Sequence, residues 1–245
     1  MPMELNRFYC RQIGESVAEL SGREARHLAS VMRLGKGEHI EVFDGAGTVA
    51  HAAVEQVEKD RVVLTVQRRM VHKMRDNGRI VLAVSVAKGE RFDWLISKCT
   101  ELGVDRIVPV VFERTVKLAK GARVVERWNR LAIAAAKQCK RIFLPVIDEP
   151  QSVADAVNTL KTDFPRGRFL VGSLAKDAGS IIDIELLDSD VIAFVGPEGG
   201  FVDDEETFLT EAGCAGVRLT DTVLRVETAG FAMAAVLCVL RDTNK

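Results

Sequence analysis

The stretch LRVETA, residues 224–229, sets Arg225 and Glu227 two positions apart, just ahead of the apolar run FAMAAVLCVL at 231–240. The run reads as a helix, so both charges fall immediately before or at its N-terminus. Unsatisfied N–H groups and the positive end of the helix dipole favour negative or carbonyl-bearing ligands there. An arginine at such a place suits a phosphate or a base carbonyl, and Thr228 is available as a cap. The competing reading is an Arg225–Glu227 surface pair of small energetic value. A second stretch, VGPEGGF at 195–201, carries Gly196, Gly199 and Gly200 around Glu198. Glycines permit positive φ and close approach of main chain to a ligand, such as a purine edge or a ribose. Glu198 either accepts a hydrogen bond or caps the helix that follows. The alternative is a tight strand-to-helix turn and nothing more.

Both stretches need elements to hold them. From residue 79 onward, strands alternate with helices. RIVLAVSVA, RIVPVVF, LPVID, RFLVGS, VIAFVG and GVRLT read as strands, and helices cover about 90–103, 123–141, SVADAVNTL, DDEETFLTEAG and a final segment from about Glu227. In the first of these helices, Phe92, Leu95, Ile96, Cys99 and Leu102 share a face and Gly103 closes it. Alternation of this kind predicts an α/β unit with a mostly parallel sheet covered on both faces. Ligands of such sheets bind at the carboxyl ends of strands. Three segments lie there: Val171-Gly172-Ser173, the 195–201 bend, and Leu219 to Gly230.

The first 70 residues read differently. A strand at 6–10, then a helix opened by capping-box spacing at Ser21 and Glu24 and running to about Arg33, precede three strands separated by DGAG and EKD turns. That pattern predicts a small, mostly antiparallel barrel or sheet. A basic linker, RRMVHKMRDNG (68–78), follows. The expected division is 1–72 and 73–245.

Composition narrows the function classes. The chain has 245 residues, 47% hydrophobic and 28% charged, ordinary for a soluble protein. The apolar run at 231–240 is too short to span a bilayer, and the N-terminus lacks the apolar core of a signal peptide. A cytoplasmic location, or prior removal of a targeting peptide, is expected. Five scattered cysteines without a CxxC point to buried thiols rather than a disulfide framework or a metal site. The net charge of −1 conceals a segregation: −2 over residues 1–67, +11 over 68–141 and −10 over 142–245. A basic middle third suggests a polyanion-binding face. The dinucleotide and P-loop fingerprints are missing. All four histidines (27, 39, 51, 72) are N-terminal, which disfavours histidine catalysis at the late loops.

Taken together, VGPEGGF, LRVETA, KGERFDWLISKCTELGV (88–104), AAKQCKRIFLPVI (135–147), Arg7-Phe8-Tyr9 and RHLASVMRLGKGEHIEVFDG (26–45) resemble the bacterial ribosomal RNA small-subunit methyltransferase E family of SPOUT methyltransferases. The likeness spans nearly the whole chain. It implies a PUA-like N-terminal barrel for RNA binding, and a C-terminal α/β domain with a trefoil knot. The implied reaction is methylation of uracil N3 in 16S ribosomal RNA, with S-adenosylmethionine as donor and no metal. The cofactor residues implied are Val171, Gly172, Ser173, Gly196, Glu198, Gly199, Gly200, Leu219, Leu224, Thr228 and Ala229. Arg225, Arg7 and Glu227 are the catalytic candidates. Arg7, Arg26, Arg33, Lys88, Arg91, Lys98, Gln138 and Arg141 are the RNA-binding candidates. A homodimer through the apolar C-terminal helix and a small-subunit rRNA partner are also expected, with no membrane partner.

The chain departs from the family pattern at Thr220, where a glycine is usual and where Asp221 and Thr222 follow, and at Lys137, where a glutamate is usual. The first departure puts the cofactor loop's conformation in question. Two rival readings stay open: a SPOUT enzyme acting on another RNA base, and a non-catalytic RNA-binding module.

Overall fold

The structure is a computed structural model that describes residues 5–115, 122–186 and 189–243. The chain divides into two compact units. One holds residues up to Met74 together with Ala136–Leu144, and the other holds 75–135 and the remainder from Pro145. Sequence reasoning ended the first unit at residue 72 and did not foresee the return of 136–144 to it.

The N-terminal unit is a curled five-stranded sheet in the order β1-β3-β4-β5-β2, formed by β1 (Asn6–Tyr9), β2 (Val17–Ser21), β3 (His39–Phe43), β4 (Thr48–Val57) and β5 (Arg61–Val71). Only the β1–β3 pairing is parallel. Alternate residues such as Ile40, Val42, Val62 and Leu64 point to one core with Phe8 and Leu28. Irregular register between β4 and β5, after His51 and after Val54, bends this pair. Two expectations fail in this unit. Strand β5 extends through Val71, so the first four residues of the supposed linker are strand, because Arg68–Val71 pair with Thr48–His51. The helix after β2 is α1 (Gly22–Arg26) followed by a π-helical stretch, His27–Met32. Its supposed capping box does not form. Ser21 makes no side-chain cap bond, and Glu24 Oε2 instead accepts from the Tyr9 N–H (3.1 Å) and from Lys137 Nζ (2.8 Å). Lys137 therefore has a definite occupation within this unit, near His27 and over the Phe8 ring.

The C-terminal unit is built on eight strands, every pairing parallel. They are β6 (Ile80–Ser85), β7 (Arg106–Val111), β8 (Val146–Ile147), β9 (Gln151–Ser152), β10 (Arg168–Gly172), β11 (Gly179–Ser180), β12 (Val191–Val195) and β13 (Ala215–Arg218). The order is β11-β13-β10-β12-β6-β7-β8, with β9 also on β7. Strands buried on both faces read as continuous apolar runs. Every residue of β6 and of β12 is buried. Val81 and Ala83 of β6 face a cluster with α4 (Val153–Asp163) and α5 (Asp203–Glu211), which contribute Leu160 and Leu209.

The opposite face of β6 carries α2 (Glu90–Leu102) and α6 (Val226–Thr243), which pack on each other. Gly230 of α6 makes that approach possible. A Cβ there would stand 2.6 Å from Leu95 Cδ1 and 3.5 Å from Val84 Cγ2. Arg241, buried in the last turn of α6, donates to the Gly103 carbonyl and to Asp105, which ties the helix to the turn after α2. Residues 122–135 of α3 (Ala122–Cys139) belong to this unit, and Trp128 packs on Phe92 at 4.7 Å.

The charge segregation acquires a second meaning here. Arg79 pairs with Asp190, Arg106 with Asp148 and Asp163, and Arg91 with Glu198. The basic middle third thus neutralises carboxylates of the acidic last third. Part of the charge segregation is therefore pairing within this unit.

Candidate active site

Four neighbouring parallel strands, β13, β10, β12 and β6, end side by side. Because they run in one direction, the segments leaving them emerge at one edge: 219–225 after β13, Ser173 after β10, 196–201 after β12, and the start of α2 after β6. Sequence reasoning gathered the first three, and the sheet order makes them neighbours. The fourth brings Arg91 to the same edge.

The bend after β12 shows what its glycines do. Gly200 has φ +74 and donates its N–H to the Pro197 carbonyl at 2.9 Å, closing a turn that a side chain would strain. Gly196 and Gly199 serve another purpose. A Cβ on Gly196 would lie 2.6 Å from the Phe201 ring, and one on Gly199 would lie 3.2 Å from Arg114 Cδ. Arg114 Nη1 donates to the carbonyls of Gly199 (2.7 Å) and Phe201 (3.1 Å). Glu205 is buried; it accepts from the Glu113 N–H with one oxygen and from the Val202 N–H with the other. Two of the three glycines therefore admit neighbouring side chains, and the turn is braced from below by Arg114 and Glu205. Sequence reasoning missed both. Glu205 had a visible signal, a glutamate in the first turn of a helix reaching back to the residue before it. Arg114 had none.

The segment after β13 accommodates Thr220 without strain. Among the described residues only Arg33 and Lys140 are non-glycines with positive φ. Thr220 Oγ1 lies 3.1 Å from the Thr222 carbonyl and 3.4 Å from the Thr222 N–H, so its hydroxyl closes the turn locally. The backbone conformation here does not require the glycine that is usual at this position.

Helix α6 begins at Val226, and the Ala229 N–H bonds the Arg225 carbonyl at 2.8 Å. Arg225 is thus the cap residue. Thr228 sits inside the first turn, which corrects its expected capping role. Arg225, Leu224 and Val223 line a cavity of about 280 Å³ together with Glu198 and Arg91. The Arg225 guanidinium has no hydrogen bond or ion pair among the described residues. Glu227 does not pair with it. Its Oε1 faces Arg91 Nε at 3.7 Å, and the same guanidinium donates from Nη1 to Glu198 Oε1 at 2.9 Å. The Glu227 side chain is 12% exposed and its Oε2 is buried with no partner.

Arg7 belongs to the N-terminal unit and is occupied within it. Its side chain is 6% exposed, with Nε 3.1 Å from Glu41, Nη2 donating to the Arg141 carbonyl at 3.0 Å, and the guanidinium 4.3 Å above the Phe43 ring centre. Burial pulls its pKa down, and Glu41 opposes the shift. Of the other RNA-binding candidates, Arg26 pairs with Asp60 and Lys98 with Glu101, while Arg33 lines a second cavity, about 590 Å³, in the N-terminal unit. That cavity is larger, but Glu55 and Lys36 on its wall satisfy each other. The late-loop cavity is lined by Arg225, two residues before Glu227, whose Oε2 is buried without a hydrogen-bond partner among the described residues. Gln138 follows Lys137 near the end of α3, and Lys88 is exposed just before α2.

Comparison with known proteins gives this edge a family. A model of an RNA methyltransferase domain matches residues 74–238, and a model of an RNA methyltransferase PUA domain matches 20–67. A ribosomal RNA small subunit methyltransferase E from Mycobacterium bovis is 33% identical over 230 residues, covering 92% of this chain and 87% of the relative. The chain belongs to the ribosomal RNA small subunit methyltransferase E family. The Bacillus subtilis protein of the same name is 28% identical over 89% of this chain and 88% of its own. A crystal structure of the Neisseria gonorrhoeae methyltransferase E bound to S-adenosyl methionine superposes with a TM-score of 0.84 at 30% identity, covering 97% of this chain and 98% of that one. The curled N-terminal sheet is thus the PUA-like unit of a methyltransferase E, and the parallel sheet is its RNA methyltransferase unit. No His, Cys, Asp and Glu cluster suited to a metal ion is found among the described residues.

Proposed function

We propose that the protein methylates N3 of a uracil in 16S ribosomal RNA and takes the methyl group from S-adenosylmethionine. The observation that supports this reading is an uncommitted guanidinium, Arg225, on the wall of a cavity, two residues before a carboxylate, Glu227, whose Oε2 is buried without a hydrogen-bond partner among the described residues. A buried acceptor of that kind costs free energy unless a ligand brings a donor to it. The donor molecule fits the loops in kind: Val171–Ser173, Gly196, Glu198–Gly200, Leu219, Leu224, Thr228 and Ala229 offer main chain and small side chains at one sheet edge. When bound it supplies a methyl group already activated on a sulfonium.

The protein's own work concerns the acceptor. Uracil N3 carries a proton at neutral pH and is a weak nucleophile until that proton leaves. Arg225 stabilises the negative charge that then spreads onto a uracil carbonyl oxygen. Glu227 Oε2 accepts the N3 proton. A base-paired uracil hides N3, so the target is unpaired or flipped out of its helix. Lys88 on the C-terminal unit and Arg26, Arg33, Gln138 and Arg141 on the N-terminal one are the proposed backbone contacts, which fix register without reading sequence. Arg7, buried against Glu41, the Arg141 carbonyl and Phe43, serves mainly to hold its own unit together.

Three further features belong to the proposal. A cytoplasmic site of action follows from a ribosomal substrate, and no helix among the described residues is long and apolar enough to cross a membrane. Self-association through α6 is supported by apolar exposure: Val239 is open, and Trp94, 44% exposed, packs on Phe231 at 5.3 Å. A trefoil knot is supported by the position of β13 between β10 and β11.

The deciding measurement is mass spectrometry of 16S rRNA from a strain lacking the gene, with and without a restored copy. Loss and return of 3-methyluridine are expected. If 3-methyluridine persists while another methylated base disappears, the acceptor is wrong. Calorimetry with S-adenosylmethionine separates an enzyme from a non-catalytic RNA-binding module.

A further inference from the structure

We propose that Arg91 is a positioning residue, a clamp that fixes Glu227 by one oxygen and leaves the other for the substrate; this rests on the reading of Glu227 above. Sequence reasoning gave Arg91 to RNA phosphate. Its geometry points elsewhere. The guanidinium reaches two carboxylates on two different segments, Glu198 at 2.9 Å on the turn after β12 and Glu227 at 3.7 Å on the first turn of α6. An arginine already facing two carboxylates has little charge left for a phosphate. A planar fork can span both, and a lysine, a point charge, cannot.

The two halves of the clamp are unequal. Glu198 is 52% exposed, so its contact with Arg91 is screened and contributes little. Glu227 is nearly buried, and its rotation decides where Oε2 points. Arg91 itself is fixed from behind. It sits in the first turn of α2, and Leu95 one turn on packs against Gly230 of α6. The helix that presents Glu227 and the helix that presents Arg91 are therefore held in register by that close approach. Removing Arg91 leaves Glu227 free to swing toward other donors at its helix N-terminus, which takes the proton acceptor away from N3. The loss expected of a positioning role falls on turnover rather than on RNA affinity.

The experiment compares Arg91→Gln, Arg91→Lys and Glu198→Gln in the full-length protein. The readouts are methylation kinetics on 16S rRNA, S-adenosylhomocysteine affinity by calorimetry, and thermal unfolding. Arg91→Gln is expected to lower kcat about 30-fold, with KM for RNA and S-adenosylhomocysteine affinity within about twofold of wild type. Arg91→Lys recovers part of that loss, and Glu198→Gln, which removes only the exposed contact, lowers kcat less than Arg91→Gln does. A raised KM with intact kcat in Arg91→Gln returns the residue to phosphate binding and overturns the clamp. So does a full kcat in Arg91→Lys, which also decides the matter if the glutamine variant does not fold, and so does a Glu198→Gln loss as large as that of Arg91→Gln. Wild-type protein that makes no 3-methyluridine defeats the parent reading, whereas active wild type beside an equally active Arg91→Gln defeats this inference alone.

Discussion

Two arginines sit at matching places in the argument and in opposite physical circumstances. Arg7, in the PUA-like unit, has a carboxylate, a carbonyl and an aromatic face around its guanidinium, and burial works against its charge. Arg225, in the methyltransferase unit, is held by its backbone at a helix cap, and its guanidinium meets no partner among the described residues. Both are equally conspicuous in the sequence. What separates them is burial and company: Arg7 is buried among groups of its own unit, although its Nε makes no hydrogen bond, whereas Arg225 is exposed at a helix cap and has no hydrogen bond or ion pair among the described residues.

Substitutions at the two sites should therefore move different observables. The largest effect is expected from Arg225→Ala, which should lower kcat by about 10²- to 10³-fold while leaving S-adenosylmethionine affinity near wild type. Calorimetry alongside kinetics checks this, and simultaneous loss of binding would assign Arg225 to the donor instead. Arg7→Ala should cost about 3 kcal/mol of unfolding free energy, because Glu41 and the Arg141 carbonyl lose a buried partner. Denaturant titration reads that cost. A variant of unchanged stability with collapsed turnover would erase the contrast and restore Arg7 as catalytic. Gly230→Ala comes next. The added methyl meets Leu95, and about 1–3 kcal/mol of overpacking is expected in the same titration. The smallest change belongs to Thr220→Ala, which loses a local turn bond worth about 0.5–1.5 kcal/mol. It should weaken donor binding by a few-fold at most.

The sequence made the alternation of strands and helices legible because buried parallel strands are apolar throughout, as in Val191–Val195, and because Gly103 closes α2 with φ +98. It also made the late loops legible as strand ends. It did not reveal which strands are neighbours, and that knowledge turns Ser173, Gly196 and Leu219 from three loops into one edge. Pairing partners were illegible for the same reason. Glu227 was matched to Arg225, two residues away, when its partner Arg91 lies far upstream; Glu24 was matched to a helix cap when Tyr9 and Lys137 claim it. Local rules assign a charge to the nearest suitable neighbour in the chain, and long-range packing overrides them. The glycines illustrate a milder case. They were read as room for a ligand, yet Gly196 and Gly199 answer to Phe201 and Arg114, side chains that the fold brings near.

Strand β13 lies between β11 and β10, although it is made after both. A chain leaving the ribosome therefore carries two strands whose shared neighbour does not yet exist, and the gap fills only when Ala215–Arg218 has emerged. Helix α6, which bears Glu227, comes later still. A 16S rRNA methyltransferase thus cannot complete the sheet edge that carries Arg225 and Glu227 until its synthesis on a ribosome is almost over.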